Sequence, residues 1–338
     1  MAWVNFVERW KMPVVFISMS YSPYVNLSFE NYLFHNHSTT ALLFLYRNDK
    51  SVIIGRNQNP WLEVNLKYLD ERGICLVRRY SGGGTVFHDL GNTNYCLMTS
   101  RTRFDRKMTL KMLINALELA GKQVFMNERY DLVFGPDSLK VSGSAFKISK
   151  DRAYQHGTML LNTDLVSLES LLKTPKMIIN AKGVRSVRSI VGNLGLNHED
   201  FCYYLCQAFE NTYGLGQRVP VHYVSEEEIS FVDDIQKCIQ EMKKWSWIYG
   251  KTPEFTNHLA YTFDWGHVNV HIVCKHGLFS HIYLENGSNL SFLQEVCHAL
   301  IGRRYVPDEI RCLLHTMRVL PDSKQMSFQF LEWLAESI

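Results

Sequence analysis

The sequence predicts an α/β fold in two domains, a larger α/β domain and a small α+β domain after it. Its 338 residues exceed one typical domain, and 46% of them are hydrophobic, enough to bury a sizeable core. Short β-prone runs alternate with helical patterns to about residue 245. After Gly250 and Pro253 the hydrophobic period becomes two, which is typical of strands. The predicted domains are 14–245 and 253–338, with residues 1–13 as a tail or short leader.

Charge and cysteine content exclude several classes of protein. The net charge of +3 is too mild for a nucleic-acid binder, although a mildly basic surface suits an acidic protein partner. No apolar run approaches the roughly 20 residues of a membrane-spanning helix. Eight cysteines without a Cys-x-x-Cys pair indicate reduced thiols in an intracellular compartment. We therefore expect neither nucleic-acid nor membrane binding.

The first half of the larger domain alternates strands with helices. A polar turn at 47–50 predicts that the strands on either side of it pair with each other. An amphipathic helical face over 110–117 is followed by Gly121, a natural C-terminal stop. The predicted strands are 14–17, 42–46, 52–54, 74–77 and 94–99, and the predicted helices are 22–34, 62–71 and 110–117.

The second half of this domain contains short β-prone segments and two helices. The segments are 123–126, 131–134, 139–142, 145–148 and 158–161. In the predicted helix 197–213, Cys202 and Cys206 lie one turn apart and could hold a metal, but buried thiols are the preferred interpretation. Ser225 and Glu228 form a capping box that begins a connecting helix to about residue 244. The last fifty residues are predicted as two helices.

The most distinctive stretch runs from residue 78 to residue 89 and contains three successive glycines. Such a run is free of the steric limits that a Cβ imposes, so it can point several N–H groups at one anion. Arg78 and Arg79 precede it, and their guanidinium groups suit phosphate or carboxylate. The alternative is a tight surface turn with both arginines solvated. The residue types alone do not decide between the two.

Other catalytic and metal-binding patterns are incomplete. Residues 250–252 match only the end of a Walker loop, and His198 lacks the second histidine of a zinc-protease helix. No Gly-x-Ser-x-Gly sequence is present, so a serine hydrolase has no starting point. His267, Asn269 and His271 share one face of a strand and could ligate a metal. A solvated strand face is the preferred interpretation.

Further stretches change the interpretation of the glycine run. Lys140 precedes a turn of small residues, Asp131 closes the segment before it, and His156-Gly157-Thr158 leads into a strand. Together these stretches make the chain resemble the lipoate–protein ligase family, within the superfamily of biotin and lipoate protein ligases. The matching segments occur in the family's order. They are 54–61, 78–92, 140–145, 156–158, 181–188 and 245–250.

The resemblance implies a fold, a reaction and its reactants. The fold would be the biotin/lipoate protein ligase type, with mixed sheets and flanking helices, plus the small C-terminal domain of these enzymes. Such enzymes join lipoic acid to ATP with Mg²⁺ as cofactor, giving lipoyl-AMP and pyrophosphate. They then pass the lipoyl group to one lysine of an acceptor domain. Because the first step brings negative charges together, its site needs fixed cations and N–H donors.

The resemblance also assigns roles to individual residues. Lys140 is expected to be catalytic, touching both the nucleotide and the lipoyl carboxyl group. Asp131 is expected near the magnesium ion or the incoming amine. The implied ATP and adenylate ligands are Arg79, Gly83, Gly84, Thr85, Val86, Phe87, Asp131 and Lys140. The implied lipoate ligands are Lys140, Arg79, His88 and Gly84. The side chains that could line the lipoyl chain, or equally belong to the core, are Val52, Ile53, Val86 and Phe87.

Partners and location follow from the same resemblance. The implied acceptors are lipoyl domains of 2-oxoacid dehydrogenase E2 subunits and the glycine cleavage H protein, and a monomer is expected. Sparse alanine, plentiful cysteine and a short basic, aromatic start favour the mitochondrial matrix, with the bacterial cytoplasm as the alternative.

Three alternative functions follow from the family and its relatives. One is a transferase that uses only preformed lipoyl-AMP, and another is a non-catalytic homologue that binds lipoyl domains. A cysteine-dependent octanoyltransferase is disfavoured because no cysteine lies between Cys96 and Cys202.

Overall fold

A computed structural model describes residues 12–36, 41–172, 179–285, 291–316 and 321–338. Residues 1–11 of the segment 1–13, predicted as a tail or short leader, lie outside them. The described residues form two compact units. The first lies within Met1–Arg56, Val64–Lys173 and Ser186–Lys244, and the second within Asn57–Glu63, Thr174–Arg185 and Trp245–Ile338. The second unit thus includes two earlier segments that the sequence assigned to the larger domain.

Strands and helices follow one another along both units. The strands are β1 (Val14–Ser18), β2 (Leu42–Tyr46), β3 (Ser51–Ile54), β4 (Cys75–Arg78), β5 (Val86–His88), β6 (Asn92–Ser100), β7 (Val124–Met126), β8 (Leu132–Phe134), β9 (Leu139–Ser142), β10 (Ser144–Ile148), β11 (Arg152–Leu160), β12 (Ile179–Ala181), β13 (Val221–Val224), β14 (Phe255–Phe263), β15 (Gly266–Lys275) and β16 (Leu278–Glu285). The helices are α1 (Pro23–Asn36), α2 (Pro60–Glu63), α3 (Leu66–Glu71), α4 (Arg106–Leu119), α5 (Leu165–Leu172), α6 (His198–Tyr213), α7 (Glu226–Ser230), α8 (Asp233–Lys243), α9 (Trp245–Ile248), α10 (Ser291–Leu300), α11 (Pro307–Thr316) and α12 (Pro321–Glu336).

A six-stranded mixed sheet organises the first unit, in the order β10-β11-β6-β2-β1-β13. The pairs β1–β2 and β1–β13 are parallel, and the other pairs are antiparallel. Side chains alternate across it, as strand geometry requires. Val15 and Leu43 enter the core cluster that includes residues of α4 and α6. Phe16 and Phe44 contact Phe29 of α1, with ring centroids 5.9 and 5.2 Å away. The sheet is therefore covered by helices on both faces.

Two smaller sheets of the first unit carry the predicted site residues. The sheet β4-β3-β5 holds the glycine loop between β4 and β5, with β3–β4 parallel and β3–β5 antiparallel. The antiparallel sheet β7-β8-β9 has Asp131 directly before β8 and Lys140 within β9.

The second unit is built on an antiparallel sheet in the order β12-β14-β15-β16. Its buried Trp61 packs against Tyr249, Phe255 and Tyr305, with ring centroids about 5.2–5.3 Å apart. Aromatic clusters of this kind stabilise a small core by area burial and edge contacts. Among the described residues of the whole chain, no helix has the length and hydropathy to span a membrane.

The predicted pairing across the turn at 47–50 is wrong. β2 pairs with β1 and β6, whereas β3 pairs with β4 and β5 in a different sheet. Every residue of β2 is buried, so this strand lies in the sheet interior and needs a partner on each side. The turn at 47–50 does not determine the pairing of β2, because burial of the whole strand requires neighbours on both sides.

The number of helices differs from the prediction in three parts of the chain. The helix predicted over 62–71 is two short helices, α2 and α3. The connecting helix is divided into α7 and α8, because Val232 adopts an extended conformation and Asp233 and Asp234 begin a new first turn. The described part of the last fifty residues contains three helices, α10 to α12, rather than two. The capping box of Ser225 and Glu228 is present as predicted.

Candidate active site

The glycine loop lies against the end of β3. Gly83 has a φ of 87°, in the left-handed region that favours glycine. A Cβ on Gly55 would collide with the carbonyl oxygen of Gly83, so Gly55 is needed for this close approach. Arg78 is fully buried, and its Nη1 donates to the carbonyl oxygens of Gly55 and Arg56 at 3.2 and 3.1 Å. The loop is therefore fixed by backbone contacts on its inner side.

Arg79 is buried behind the loop and bonds to its backbone. Its Nη2 donates to the carbonyl oxygens of Gly82 and Gly84 at 2.6 and 2.7 Å, and its Nη1 donates to Ile53 O at 3.1 Å. Its Nε donates to Ser81 Oγ at 2.9 Å. Burial lowers the pKa of the guanidinium to about 10, so it stays charged at neutral pH. Neither Arg78 nor Arg79 is solvated. Arg79, which the resemblance placed among the nucleotide ligands, bonds to the backbone of the glycine loop.

The backbone donors of the loop differ from one another. Among the described residues, the N–H groups of Gly83 and Gly84 donate to no protein acceptor, whereas Thr85 N donates to Ser186 Oγ at 2.8 Å. Two adjacent unused N–H groups beside a buried cation are suited to an anionic ligand. The geometry therefore supports an anion site at Gly83 and Gly84.

Lys140 forms an ion pair with Asp131. Lys140 Nζ lies 2.8 Å from Asp131 Oδ1, and the two side chains are 21% and 10% exposed. Backbone register across β8 and β9 aligns Val133 with Lys140, which brings the two charged groups together. Gly143 gives the lysine room, because a Cβ there would lie 3.0 Å from Lys140 Cε. The structure thus joins two predicted residues whose relation the sequence did not indicate.

One segment links the glycine loop to the Lys140 strand. Ser186 accepts from Thr85, and four residues later Ile190 O accepts from Lys140 N at 2.9 Å. Strand β10, which follows β9, also reaches the loop, since a Cβ on Gly83 would lie 3.0 Å from the Cβ of Ala145. The sequence motif at 181–188 indicated relevance to the site but not this bridging position.

A buried chain of hydrogen bonds lies behind the loop. His156 Nε2 is 2.6 Å from Ser81 Oγ, and its Nδ1 is 2.9 Å from Glu30 Oε1. The sequence motif included His156 without a role, and Glu30 was missed because nothing distinguishes one acid in helix α1 before the strands are placed.

His88 and Asp89 follow the loop and hold neighbouring chain segments. Asn48 Nδ2 lies 2.9 Å from His88 Nδ1. Burial, with the charges of Arg79 and His156, lowers the pKa of His88 to about 3. Asp89 accepts from the backbone N–H groups of Gly91 and Asp164 at 3.0 and 2.8 Å. The predicted contact of His88 with lipoate stays a prediction.

The side chains that could line the lipoyl chain are mostly buried. Val52, Ile53 and Phe87 are buried, and only Val86 is partly exposed. The core interpretation therefore fits the first three.

The metal-binding alternatives find no support in the described residues. Burial raises the pKa of Cys202 above its ordinary range and the pKa of Cys206 to about 12, which suits inert thiols. His271 Nε2 lies 2.6 Å from Glu285 Oε1, and His267 Nδ1 lies 2.8 Å from Thr262 Oγ1, so the two histidines have separate partners.

Two family models match the chain. The lipoyl protein ligase A/B catalytic domain matches residues 22–210, and the bacterial lipoate protein ligase C-terminus matches residues 252–334. The lipoate-protein ligase A of Psychrobacter cryohalolentis is 33% identical over 324 residues, covering 93% of this chain and 95% of that protein. The chain belongs to the lipoate–protein ligase A family. A second relative, from Blochmanniella pennsylvanica, is 34% identical over 334 residues, covering 95% of this chain and 98% of its own.

Solved structures of this family share the fold. The P. falciparum protein LipL1, in complex with lipoate, superposes with a TM-score of 0.64 at 26% identity, covering 96% of this chain and 99% of that one. A bipartite lipoate protein ligase from Thermoplasma acidophilum gives a TM-score of 0.58 at 25% identity, covering 70% and 96%. A lipoate-protein ligase A bound with ATP gives 0.57 at 24% identity, covering 70% and 98%, which supports the fold alone. The predicted fold class is confirmed.

Proposed function

We propose that this protein is a lipoate–protein ligase that catalyses both activation and transfer. It would react lipoate with ATP to give lipoyl-AMP and pyrophosphate, and then transfer the lipoyl group to a lysine of an acceptor domain. The observation that carries the proposal is the pairing of Lys140 with Asp131 beside a glycine loop that has two unused N–H groups. These are the fixed cation and donors that an acyl-adenylate site requires.

In the first half-reaction an oxygen of the lipoate carboxylate attacks the α-phosphorus of ATP. The bond between the α-phosphorus and the bridging oxygen breaks, and pyrophosphate leaves with that oxygen. Negative charge concentrates on the phosphoryl oxygens in the transition state. The N–H groups of Gly83 and Gly84 would donate to them, and Lys140 would offset charge on both the carboxylate and the phosphate. Arg79 acts through the loop carbonyls that it holds.

In the second half-reaction the amine of an acceptor lysine attacks the carbonyl carbon of lipoyl-AMP. An oxyanion forms, AMP leaves with the acyl–oxygen pair of electrons, and an amide remains after the amine loses its proton. Lys140 is suited to stabilise the oxyanion, and its partner Asp131 is suited to position the incoming lysine, which gives one proton to solvent before it attacks and a second as the amide forms. The same residue pair thereby serves both steps.

Magnesium would enter with the nucleotide. Mg²⁺ typically uses one or two protein carboxylates and completes its shell with phosphate oxygens and waters. Asp131 supplies one carboxylate next to Lys140, which fits this requirement. Asp131 would hold the ion, which supplies further neutralisation of phosphate charge.

Three other functions fit the site to different degrees. The same residues would serve transfer of preformed lipoyl-AMP, so only an assay of activation separates that function from the full ligase. A non-catalytic homologue would not need the Lys140–Asp131 pair. A thioester mechanism would need a reactive thiol. Cys96, the cysteine opposite His156 in the sheet, is buried, and burial raises its pKa well above the ordinary value. Such a thiol is a poor nucleophile.

The acceptors and the location are part of the same proposal. Lipoyl domains of 2-oxoacid dehydrogenase E2 subunits and the glycine cleavage H protein present a lysine for this chemistry. Action as a monomer in the mitochondrial matrix stays a prediction, which gel filtration and subcellular fractionation test.

Lipoate-dependent exchange of radiolabelled pyrophosphate into ATP tests activation, and transfer to a purified lipoyl domain tests the second step. The proposal expects both, each dependent on Mg²⁺. Transfer from lipoyl-AMP without exchange would show that the protein catalyses only the second step, as a transferase. Absence of both reactions would favour the non-catalytic homologue.

A further inference from the structure

The carboxylate of Glu30 is buried at the centre of a polar cluster. Glu30 belongs to α1, fifty residues before the glycine loop, and its side chain is 4% exposed. His156 Nδ1 lies 2.9 and 3.0 Å from its two oxygens, and Tyr46 OH donates to Oε2 at 3.2 Å. A buried carboxylate is costly unless it is hydrogen-bonded, and both oxygens of Glu30 have His156 Nδ1 as a partner.

A line of hydrogen bonds connects Glu30 with the loop through His156, Ser81 and Arg79. Because an ionised carboxylate only accepts, His156 Nδ1 carries the hydrogen that it donates to Glu30. The opposite nitrogen, Nε2, lies 2.6 Å from Ser81 Oγ. Ser81 Oγ also accepts from Arg79 Nε at 2.9 Å, and Arg79 bonds to the carbonyl oxygens of Gly82 and Gly84. The side chains of Arg79, Ser81 and His156 are therefore each oriented by the neighbour that lies nearer to Glu30.

The chain leaves Gly83 and Gly84 with their N–H groups available. The Gly82 carbonyl, which Arg79 holds, lies in the same peptide plane as the Gly83 N–H and fixes its direction. The Gly84 carbonyl, also held by Arg79, fixes the peptide that follows Gly84, so the peptide that carries the Gly84 N–H lies between two held peptides. A guanidinium on a flexible side chain needs its own anchor, which Ser81 and His156 provide. Donors of this kind bind an anion tightly only when their positions are fixed before the ligand arrives, because ordering them on binding costs free energy.

We infer that Glu30 is a positioning residue, which acts through His156, Ser81 and Arg79 to hold the glycine loop in its anion-binding conformation. Only the kinetic part of this inference rests on the proposed ligase function. The structural part concerns the ligand-free protein. The carboxylate therefore contributes to the site without contacting either substrate.

A metal ion is the competing explanation of this cluster. The ligand atoms of Glu30, Cys96 and His156 lie within 4.8 Å of one another. An ion at that point would have to replace the hydrogen bonds of His156 Nδ1 with the carboxylate and require a thiolate at Cys96. Burial opposes the thiolate. The hydrogen bonds of Glu30 and His156 account for the cluster without an ion.

The test substitutes Glu30→Gln, which keeps the shape of the side chain and removes its charge. We expect amide hydrogen exchange of residues 81–87 to accelerate at least tenfold in the ligand-free protein. With the ligase assay, kcat/KM for ATP should fall at least tenfold, mainly through KM. Tyr46→Phe is the matched control, because it removes a bond to the same carboxylate and leaves the His156–Ser81 contact in place. Its exchange and kinetics should match those of the wild type within twofold.

His156→Gln provides a second route if Glu30→Gln does not fold. Its amide can reach Ser81 but not Glu30, so it should reproduce the loop exchange and the rise in KM. Unchanged exchange in the folded variant, or faster exchange with unchanged KM, would overturn the inference. A zinc-dependent rise in melting temperature of the wild type that Glu30→Gln abolishes would overturn it in favour of a metal site. If wild-type protein shows no ligase activity, the proposed function fails, and the exchange comparison alone decides whether Glu30 positions the loop.

Discussion

At the scale of single residues, the structure changes how Lys140 and Arg79 are understood. The resemblance placed both on the nucleotide. Lys140 keeps a position suited to that role, in strand β9, because the following strand β10 touches the loop at Ala145. Arg79 instead donates to loop carbonyl oxygens and to Ser81. A sequence motif records which residues a site needs, but it does not distinguish ligand contact from support of the loop.

Lys140→Ala should lower the rates of exchange and transfer by about 10²–10³-fold or more, because it removes the cation nearest the proposed carboxylate and phosphate. It also leaves Asp131, 10% exposed, without its ion-pair partner, so the variant should be less stable. The double variant Lys140→Ala/Asp131→Asn separates the two effects. It should recover thermal stability but not activity, as measured by melting and by pyrophosphate exchange. Wild-type rates in the double variant would contradict the role of Lys140.

At the scale of elements, the glycine loop depends on contact between β3 and the segment after β4. Gly55 follows β3 and lies against the carbonyl oxygen of Gly83. The parallel register of β3 with β4 sets this distance, since Ile54 is opposite Arg78. The conformation of the loop is therefore decided by two strands rather than by its own glycines alone.

Gly55→Ala should displace the loop, because its Cβ would overlap the Gly83 carbonyl group. Overpacking of this kind costs about 1–3 kcal/mol in the free energy of unfolding. We expect that loss in urea unfolding, together with weaker ATP binding by calorimetry. Gly82→Ala is the matched control in the same loop, since a Cβ there meets no atom within 4 Å and its φ is not in the left-handed region. Equal stability and affinity in the two variants would contradict the steric explanation.

At the scale of the whole molecule, stability depends on buried groups that must stay neutral. His88 has a pKa of about 3 in the folded protein and His198 a pKa of about 4, both lowered chiefly by burial. An unfolded histidine titrates near 6.5. Below that pH the unfolded chain binds protons that the folded protein does not, so stability is complete above 6.5 and is lost as pH falls toward the folded values.

The contribution of His88 to this loss should be about 1.4 kcal/mol per pH unit below 6.5. Urea unfolding of the wild type and of His88→Asn between pH 7.0 and 4.5 measures it, because other acid-sensitive groups are common to both proteins. An asparagine can still accept the bond from Asn48. The difference in free energy of unfolding between the two should shrink by this amount per unit. Parallel curves would show that His88 is protonated in the folded state.

Much of the architecture follows from local sequence pattern, and the errors in the predictions made from that pattern have a common cause. Periodicity predicted β2 and β3 separately, and the capping box predicted the start of α7. Local pattern did not predict which strands pair. The structure places β2 and β3 in different sheets, and β13, which was not predicted, adds a parallel edge strand to β1. Parallel partners are brought together from distant parts of the chain, so no turn in the sequence marks them.

The sequence by itself determined the family, the alternation of strands and helices, and the residue types at the site. Those depend on short segments whose order and composition can be read directly. The tertiary structure alone decided that Lys140 pairs with Asp131 and that Thr85 meets Ser186. It also decided that Glu30 supports a loop fifty residues away through His156 and Ser81. Such contacts join segments far apart in the chain, because burial selects partners by position in space and by the need to satisfy each buried polar group.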